Sequence, residues 1–242
     1  MSSVINKMQV EIWSDIMCPF CYIGKRKFEN ALAQFPNREN IALVWKSFQL
    51  SPDLKNQPDK NIYQYLAEHK GMSITQAKQS IDYVTSLAAQ VGLDFNFDIS
   101  VLANSFDAHR FLHLAKKHHL QNEAEERLFA AYFTEGKDFS NHEILENIGV
   151  SIGLDAEEIK QTLKSNQFAE DVQQDILEAQ QIGVRGVPFF VFNRKYAVSG
   201  AQETSLFLET IQQSFAAWQK ENPSTILEVT AGESCDIDGN CN

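Results

Sequence analysis

Apolar and polar positions change their period several times along the chain. Met8-Gln9-Val10-Glu11-Ile12-Trp13 alternates, the two-residue period of a strand with one buried face. After it, Cys21, Gly24, Phe28, Ala31, Leu32 and Phe35 recur at helical spacing, and Pro36 closes that helix. Ile41-Ala42-Leu43-Val44-Trp45 predicts a second, well-buried strand that runs into Phe48 before Pro52 breaks it. Strand, helix, strand makes a βαβ unit, and short crossovers of this kind join parallel strands.

The middle is different in kind. From about Asn61 to Gly183 there is no convincing strand but several helix starts. Ser73-Ile74-Thr75-Gln76, Ser140-Asn141-His142-Glu143 and Asp155-Ala156-Glu157-Glu158 have the spacing of capping boxes or their close relatives. Gly92, Gly136 and Gly153 fall where helices would end. Stripes at Phe106, Phe111 and Leu114, and at Leu128, Phe129, Tyr132 and Phe133, complete a prediction of five or six helices. Strand character returns at Val187–Phe192, Asn193-Arg194 makes a tight turn, and Tyr196-Ala197-Val198 runs back. A last helix, about Glu203 to Lys220, places Leu206, Phe207, Ile211, Phe215 and Trp218 on one side. The fold class is therefore α/β, with residues 1–55 and 183–222 forming one discontinuous domain. An all-helical insertion covers 56–182, and 223–242 is a flexible, cysteine-containing tail.

Composition narrows the function classes. With 43% hydrophobic and 22% charged residues, the 242-residue chain has the balance of an ordinary soluble globular protein. A net charge of −11 argues against nucleic acid or an anionic membrane as the main partner. Met1 to Lys7 lacks the apolar run of a signal peptide and no stretch has transmembrane length, so the expected location is cytoplasmic. Four cysteines are too few for a secreted disulfide scaffold, and in a reducing compartment closely spaced pairs point to redox or metal chemistry.

The chemistry centres on Cys18-Pro19-Phe20-Cys21. Proline suits the first helical position, where a missing N–H costs nothing, so Cys18 falls at the N-cap. A thiolate there can accept from the first-turn amides of Phe20 and Cys21, and the helix dipole favours negative charge. Cys18 is thus expected to be an exposed, activated nucleophile. Cys21, at the head of the buried stripe Gly24–Phe28–Leu32–Phe35, is expected to be shielded and to attack a mixed disulfide from within. A zinc site completed by Cys235 and Cys241 is the alternative. Proline and phenylalanine between the ligands, leading into a long amphipathic helix, disfavour it, and no metal is assigned.

These segments, taken together, resemble a known family. A strand, Cys18-Pro19-Phe20-Cys21 and a helix are similar to the thioredoxin superfamily, and the helical insertion resembles its DsbA-like branch. Ser14-Asp15-Ile16-Met17-Cys18-Pro19-Phe20-Cys21-Tyr22-Ile23-Gly24, Asn104-Ser105-Phe106-Asp107-Ala108-His109-Arg110, Gly186-Val187-Pro188-Phe189-Phe190 and Gly200-Ala201-Gln202 resemble its FrnE-type members. The resemblance implies a thioredoxin fold interrupted by a large helical domain, acting on protein or small-molecule thiols and disulfides. It implies no prosthetic group, with glutathione admissible as a co-substrate. It makes Pro188 the cis-proline facing the cysteine pair, with the Val187 backbone left to bind an extended substrate. Two departures stand out. The strand offers Ile12, with Glu11 beside it, where relatives often keep a carboxylate that helps deprotonate the resolving cysteine. Phe20 replaces the histidine of strongly oxidising DsbA proteins, which implies a less oxidising couple.

The remaining candidates are weaker. Cys235 and Cys241 flank Asp-Ile-Asp-Gly-Asn, a turn-forming sequence that suits a small disulfide loop and an auxiliary redox pair. The tail beyond Trp218, as a flexible chain, reaches roughly 22 Å, comparable with the ~18 Å radius of a domain of this size. An idle tail weighs nearly as much, and a calcium loop is disfavoured because the glycine and distal glutamate are out of place. His109 and Arg110 suit packing or hydrogen bonding better than chemistry, and His113, His118 and His119 suit a solvated helix end. Three functions compete: a thiol–disulfide oxidoreductase or isomerase; a glutathione-dependent enzyme like 2-hydroxychromene-2-carboxylate isomerases and kappa-class transferases; and a holdase-like binding module. Cys21 disfavours the second, whose members usually keep a single nucleophile.

Overall fold

The structure is a computed structural model that describes residues 7–55 and 60–223. Strand β1 (Met8–Ser14) enters the middle of a four-stranded sheet of order β2-β1-β3-β4. Both faces of β1 are covered: only Gln9 is exposed and even Glu11 is buried, so the alternation at residues 8–13 marks a strand but not a solvent face. Helix α1 (Pro19–Ala33) crosses to β2 (Ile41–Ser47), which pairs parallel to β1 with Met8 opposite Ile41 and Ser14 opposite Ser47. Strands β3 (Phe189–Phe192) and β4 (Tyr196–Ser199) add an antiparallel hairpin on the other side of β1. Its turn carries two successive residues with positive φ, Asn193 at 48° and Arg194 at 55°, and Lys195 N–H donates to Phe192 O at 3.0 Å. The last paired residues are Phe192 and Tyr196, so residues 193–195 close the hairpin, and the positive φ at the centre of the turn matches the strand twist.

Helices α1 and α9 (Thr204–Glu221) cover one face of the sheet, where Ile12, Phe28, Phe190, Phe192, Phe207 and Ile211 form a closed core. Phe28 meets Phe207 edge-on at 5.7 Å. Phe207, Ile211 and Phe215 follow the i, i+4, i+8 line of α9. Leu206, one residue off that line, is 41% exposed, so the predicted buried stripe of this helix loses its first member.

Between β2 and β3 lie seven α-helices among the described residues: α2 (Ile62–Lys70), α3 (Ile74–Gln90), α4 (Phe106–Lys117), α5 (Gln121–Phe133), α6 (His142–Ser151), α7 (Ala156–Lys164) and α8 (Ala169–Gln181). The predicted five or six falls short. The reason lies at two boundaries, before α5 and before α8, where the left-handed residues are His119 and Phe168 rather than glycine. Ser73–Gln76 forms a complete capping box and Asp155 caps Glu158 N–H. At α6 the cap is Asn141, not Ser140, because the Ser140 hydroxyl is already bonded to Asp138 Oδ1 at 2.6 Å. Helix α8 packs on the second face of the sheet, where Trp13, Ala179, Val184 and Val191 cluster. The core of the other insertion helices runs without a break into Ile16, Cys18, Cys21, Tyr22 and Ile23, so the start of α1 sits at the seam between sheet and insertion. Among the described residues no helix is long and apolar enough to cross a membrane.

Candidate active site

The backbone around the cysteine pair is set locally. Cys18 is the N-cap of α1 (φ −91°, ψ 109°), Pro19 occupies the first turn, and Cys21 N–H donates to Cys18 O at 3.0 Å. Cys18 N–H in turn donates to Asp15 O at 2.9 Å, which folds the end of β1 tightly into the helix. Both cysteines are free thiols.

Two expectations about Cys18 are corrected. Its sulfur makes no capping hydrogen bond to the first-turn amides; it lies 3.5 Å from Val187 O, the carbonyl just before Pro188. It is also buried, only 4% exposed, whereas an exposed nucleophile was predicted. A chain end at a helix tip is normally open, but here the segment carrying Val187 and Pro188 is brought onto the sulfur from 169 residues away.

The Val187–Pro188 peptide bond is cis. Pro188 is buried and its carbonyl accepts from Gly200 N–H at 2.8 Å, so the end of the β3–β4 hairpin holds it in place. Gly200 has φ 81°, a conformation that favours glycine at that corner. On the opposite side Gly24 of α1 provides the clearance: a Cβ there would lie 3.0 Å from Pro188 Cγ and 3.5 Å from Ala201. The Gly24, Pro188 and Gly200-Ala201 segments, remote in sequence, thus meet around the cysteine pair.

Cys21 is 1% exposed. Burial pushes its thiol well above the usual range, and the hydrogen bond and charge of Cys18 push the same way; the Asp15 backbone and the Ser14 hydroxyl pull it down. Ser14 ends β1, and its Oγ donates to Glu125 Oε1 of α5 at 2.8 Å. Glu125 is wholly buried, and burial raises its carboxyl to about 7 despite the Ser14 hydrogen bond and the nearby charges of His109 and Lys25. Its Oε2 has no hydrogen-bond partner, and neither do Asp15 Oδ1 and His109 Nδ1 close by.

The carboxylate sought in the strand is not at this site. Glu11 points to the opposite face of the sheet, ion-paired with Arg194. The acid beside the cysteines is Glu125, contributed by the insertion, and sequence reasoning missed both it and Ser14's part. A glutamate on a predicted helix carries no local mark of burial, and Glu125 stands in the charged run Glu125-Glu126-Arg127, which reads as a solvated face.

The histidine readings divide. His109 is buried, with Nε2 3.0 Å from Phe48 O and 3.5 Å from Asp15 Oδ1. Arg110 is a structural tie: its guanidinium binds Asp107 at 2.8 Å and the carbonyls of Thr162, Ser165 and Gln167. His113 does not belong to a solvated helix end. It is 7% exposed and packs 3.1 Å from Asp175 Oδ2 and 3.2 Å from Ser47 Oγ, an acidic partner that only the fold supplies. His118 is half-exposed and pairs with Glu158 at 2.7 Å. Cys235 and Cys241 lie outside the described residues.

Known proteins share this fold. A profile for the DSBA-like thioredoxin domain matches residues 9–212. The crystal structure of a probable DsbA oxidoreductase from Streptomyces coelicolor superposes with a TM-score of 0.80 at 37% identity, covering 97% of this chain and 98% of that one. The uncharacterised protein YwbO of Bacillus subtilis is 25% identical over 213 residues, 84% of this chain and 96% of its own length. A 2-hydroxychromene-2-carboxylate isomerase shares the fold with a TM-score of 0.63 at 16% identity, over 90% of this chain and 100% of that one. The chain belongs to the DSBA-like thioredoxin domain family, a family of thiol–disulfide oxidoreductases.

Proposed function

We propose that this protein is a cytoplasmic thiol–disulfide oxidoreductase in which Cys18 is the nucleophile and Cys21 resolves. The observation that carries the reading is the approach of Cys18 Sγ to Val187 O at the cis-proline, with Cys21 buried directly behind. Cys18 attacks one sulfur of a substrate disulfide, releases the other as a thiol, and is left in a mixed disulfide. Cys21 then attacks Cys18, forms the Cys18–Cys21 disulfide and frees the second substrate thiol. Oxidation of a substrate dithiol runs the same path backwards. In the resting dithiol the Val187 carbonyl is occupied by the Cys18 thiol. An extended substrate brings an N–H for that carbonyl, so docking and uncovering of the sulfur are one event. Protein or small-molecule disulfides, glutathione among them, are the substrate class, and the Cys235–Cys241 pair is an auxiliary relay in this reading.

The test is reduction of insulin disulfides by the wild type, Cys18→Ser and Cys21→Ser. Loss of turnover in the first variant and trapped mixed disulfides in the second are expected. Turnover that survives Cys18→Ser overturns the reading and favours a glutathione-dependent isomerase or a non-enzymatic binding module.

A further inference from the structure

The segments that meet at the cysteine pair carry few charges, and all but one of these are already bonded. Residues 14–24 hold Asp15, whose Oδ2 accepts from Leu50 N–H at 2.7 Å. Residues 184–202 hold Arg185, Arg194 and Lys195. Arg194 is paired with Glu11 and Glu178, and Lys195 with Glu221. Arg185 is exposed and has neither a hydrogen-bond nor an ion-pair partner among the described residues. It stands two residues before Val187, whose carbonyl lies 3.5 Å from Cys18 Sγ. Building on the reading above, we infer that Arg185 selects disulfides that carry a carboxylate close to the sulfur attacked by Cys18.

The backbone holds Arg185 beside the nucleophile from both sides. Val184 N–H donates to Ala179 O at 2.8 Å, and the Val184 side chain is buried with Trp13 and Val191. On the other side Pro188 O accepts from Gly200 N–H at 2.8 Å. Two Cα steps, from residue 185 to 187, span at most about 7.6 Å. The chain bends at residues 186–188, which shortens that span. Gly186 leaves room for a ligand between them, since a Cβ there would meet nothing within 4 Å. A substrate whose backbone pairs with Val187 O therefore brings the neighbours of its reactive cysteine within reach of the guanidinium.

Chemistry sets the class of group that is read. A guanidinium stays charged at any working pH and presents a planar fork of donors that matches a carboxylate. The chain as a whole carries −11 and repels acidic molecules. A cation at the mouth of the site offsets that repulsion where the disulfide must dock, and it has no existing partner to give up. The carboxylate can belong to an aspartate or glutamate flanking the cysteine of a protein disulfide, or to glutathione. The recognition is the same in both.

Mixed disulfides with 2-thiopyridine test this. Cys18 attacks the peptide sulfur, the sulfur–sulfur bond breaks, and its electron pair leaves on 2-thiopyridone, whose absorbance gives the second-order rate constant. The probes form matched pairs: a short peptide with aspartate or asparagine beside its cysteine, and glutathione or its diester. At low salt the wild type should react about fivefold faster with the acidic member than with its neutral match. That preference should shrink in about 1 M salt. Arg185→Gln should lose the preference and keep its rate on the neutral probes. Arg185→Glu should instead favour a peptide with lysine beside the cysteine. A preference in both pairs, or in one alone, supports the inference and names the source of the carboxylate. A wild type indifferent in both pairs overturns it, as does a preference that survives in Arg185→Gln or a variant slowed equally on every probe. A wild type that releases no thiopyridone from any probe overturns the underlying function instead.

Discussion

Gly24 and Pro188 face each other across the active-site seam so closely that a methyl group on the glycine would sit 3.0 Å from the proline Cγ. This contact fixes where the cis-proline segment can lie relative to Cys18. A helix-interior glycine gives up about 1 kcal/mol of helix propensity relative to alanine, so clearance outweighs propensity here. Gly24→Val should overpack the seam and cost about 1–3 kcal/mol in urea unfolding. Gly24→Ala should be nearer neutral, because its propensity gain offsets the crowding. Both should change the rate at which Cys18 reacts with Ellman's reagent. A Gly24→Val protein with wild-type stability and reactivity would show that the contact sets nothing.

Phe20 lies between the cysteines and is 41% exposed, bringing no positive charge to the Cys18 sulfur. The Cys18–Cys21 couple should therefore be less oxidising than the strongest oxidants of the family, which lie near about −120 mV. Equilibration with glutathione buffers, followed by thiol trapping, measures this. A midpoint near that value would contradict it.

Glu125 makes stability depend on pH in a defined direction. Burial raises its carboxyl from the usual 4.5 to about 7, so the folded state holds the proton more tightly than the unfolded chain. Its contribution is fully present below pH 4.5 and is lost as pH rises towards 7. Relative to Glu125→Gln, the wild type should lose about 3 kcal/mol across that window. Urea unfolding of both proteins at pH 4.5 and 8 reads the change, and a difference independent of pH would refute it.

Asp175 works with the opposite sign. Burial would raise its carboxyl, but hydrogen bonds from His113, Lys46 and the Ser47 N–H outweigh it and hold the group at about 2. That stability is present above pH 4 and is lost as pH falls through about 2. The advantage of the wild type over Asp175→Asn should stay level above pH 5 and shrink by about 2 kcal/mol in acid. Asp175→Ala, which leaves Lys46 with Glu178 alone and deprives the buried His113 of its acid, should cost about 3–5 kcal/mol at neutral pH. A loss below about 1 kcal/mol would mean that those groups find other partners.

What the sequence determined by itself was everything with a short-range cause. Alternation at residues 8–13, the apolar run at 41–45, the proline after Cys18, the Asn193-Arg194 turn and the caps at Ser73 and Asp155 act over a few residues, and each element formed where those signals lie. The cysteine pair was legible for the same reason, since its spacing and cap position are local. The count of insertion helices was missed where His119 and Phe168 take a backbone that glycine usually marks. Only the tertiary structure decided the rest. It buried Cys18 under a segment 169 residues away, turned Glu11 to the far face, gave His113 its acid, and set Glu125 beside Ser14 across 111 residues of chain. Burial and long-range pairing depend on which surfaces meet when the insertion closes on the sheet, and no window of neighbouring residues encodes that.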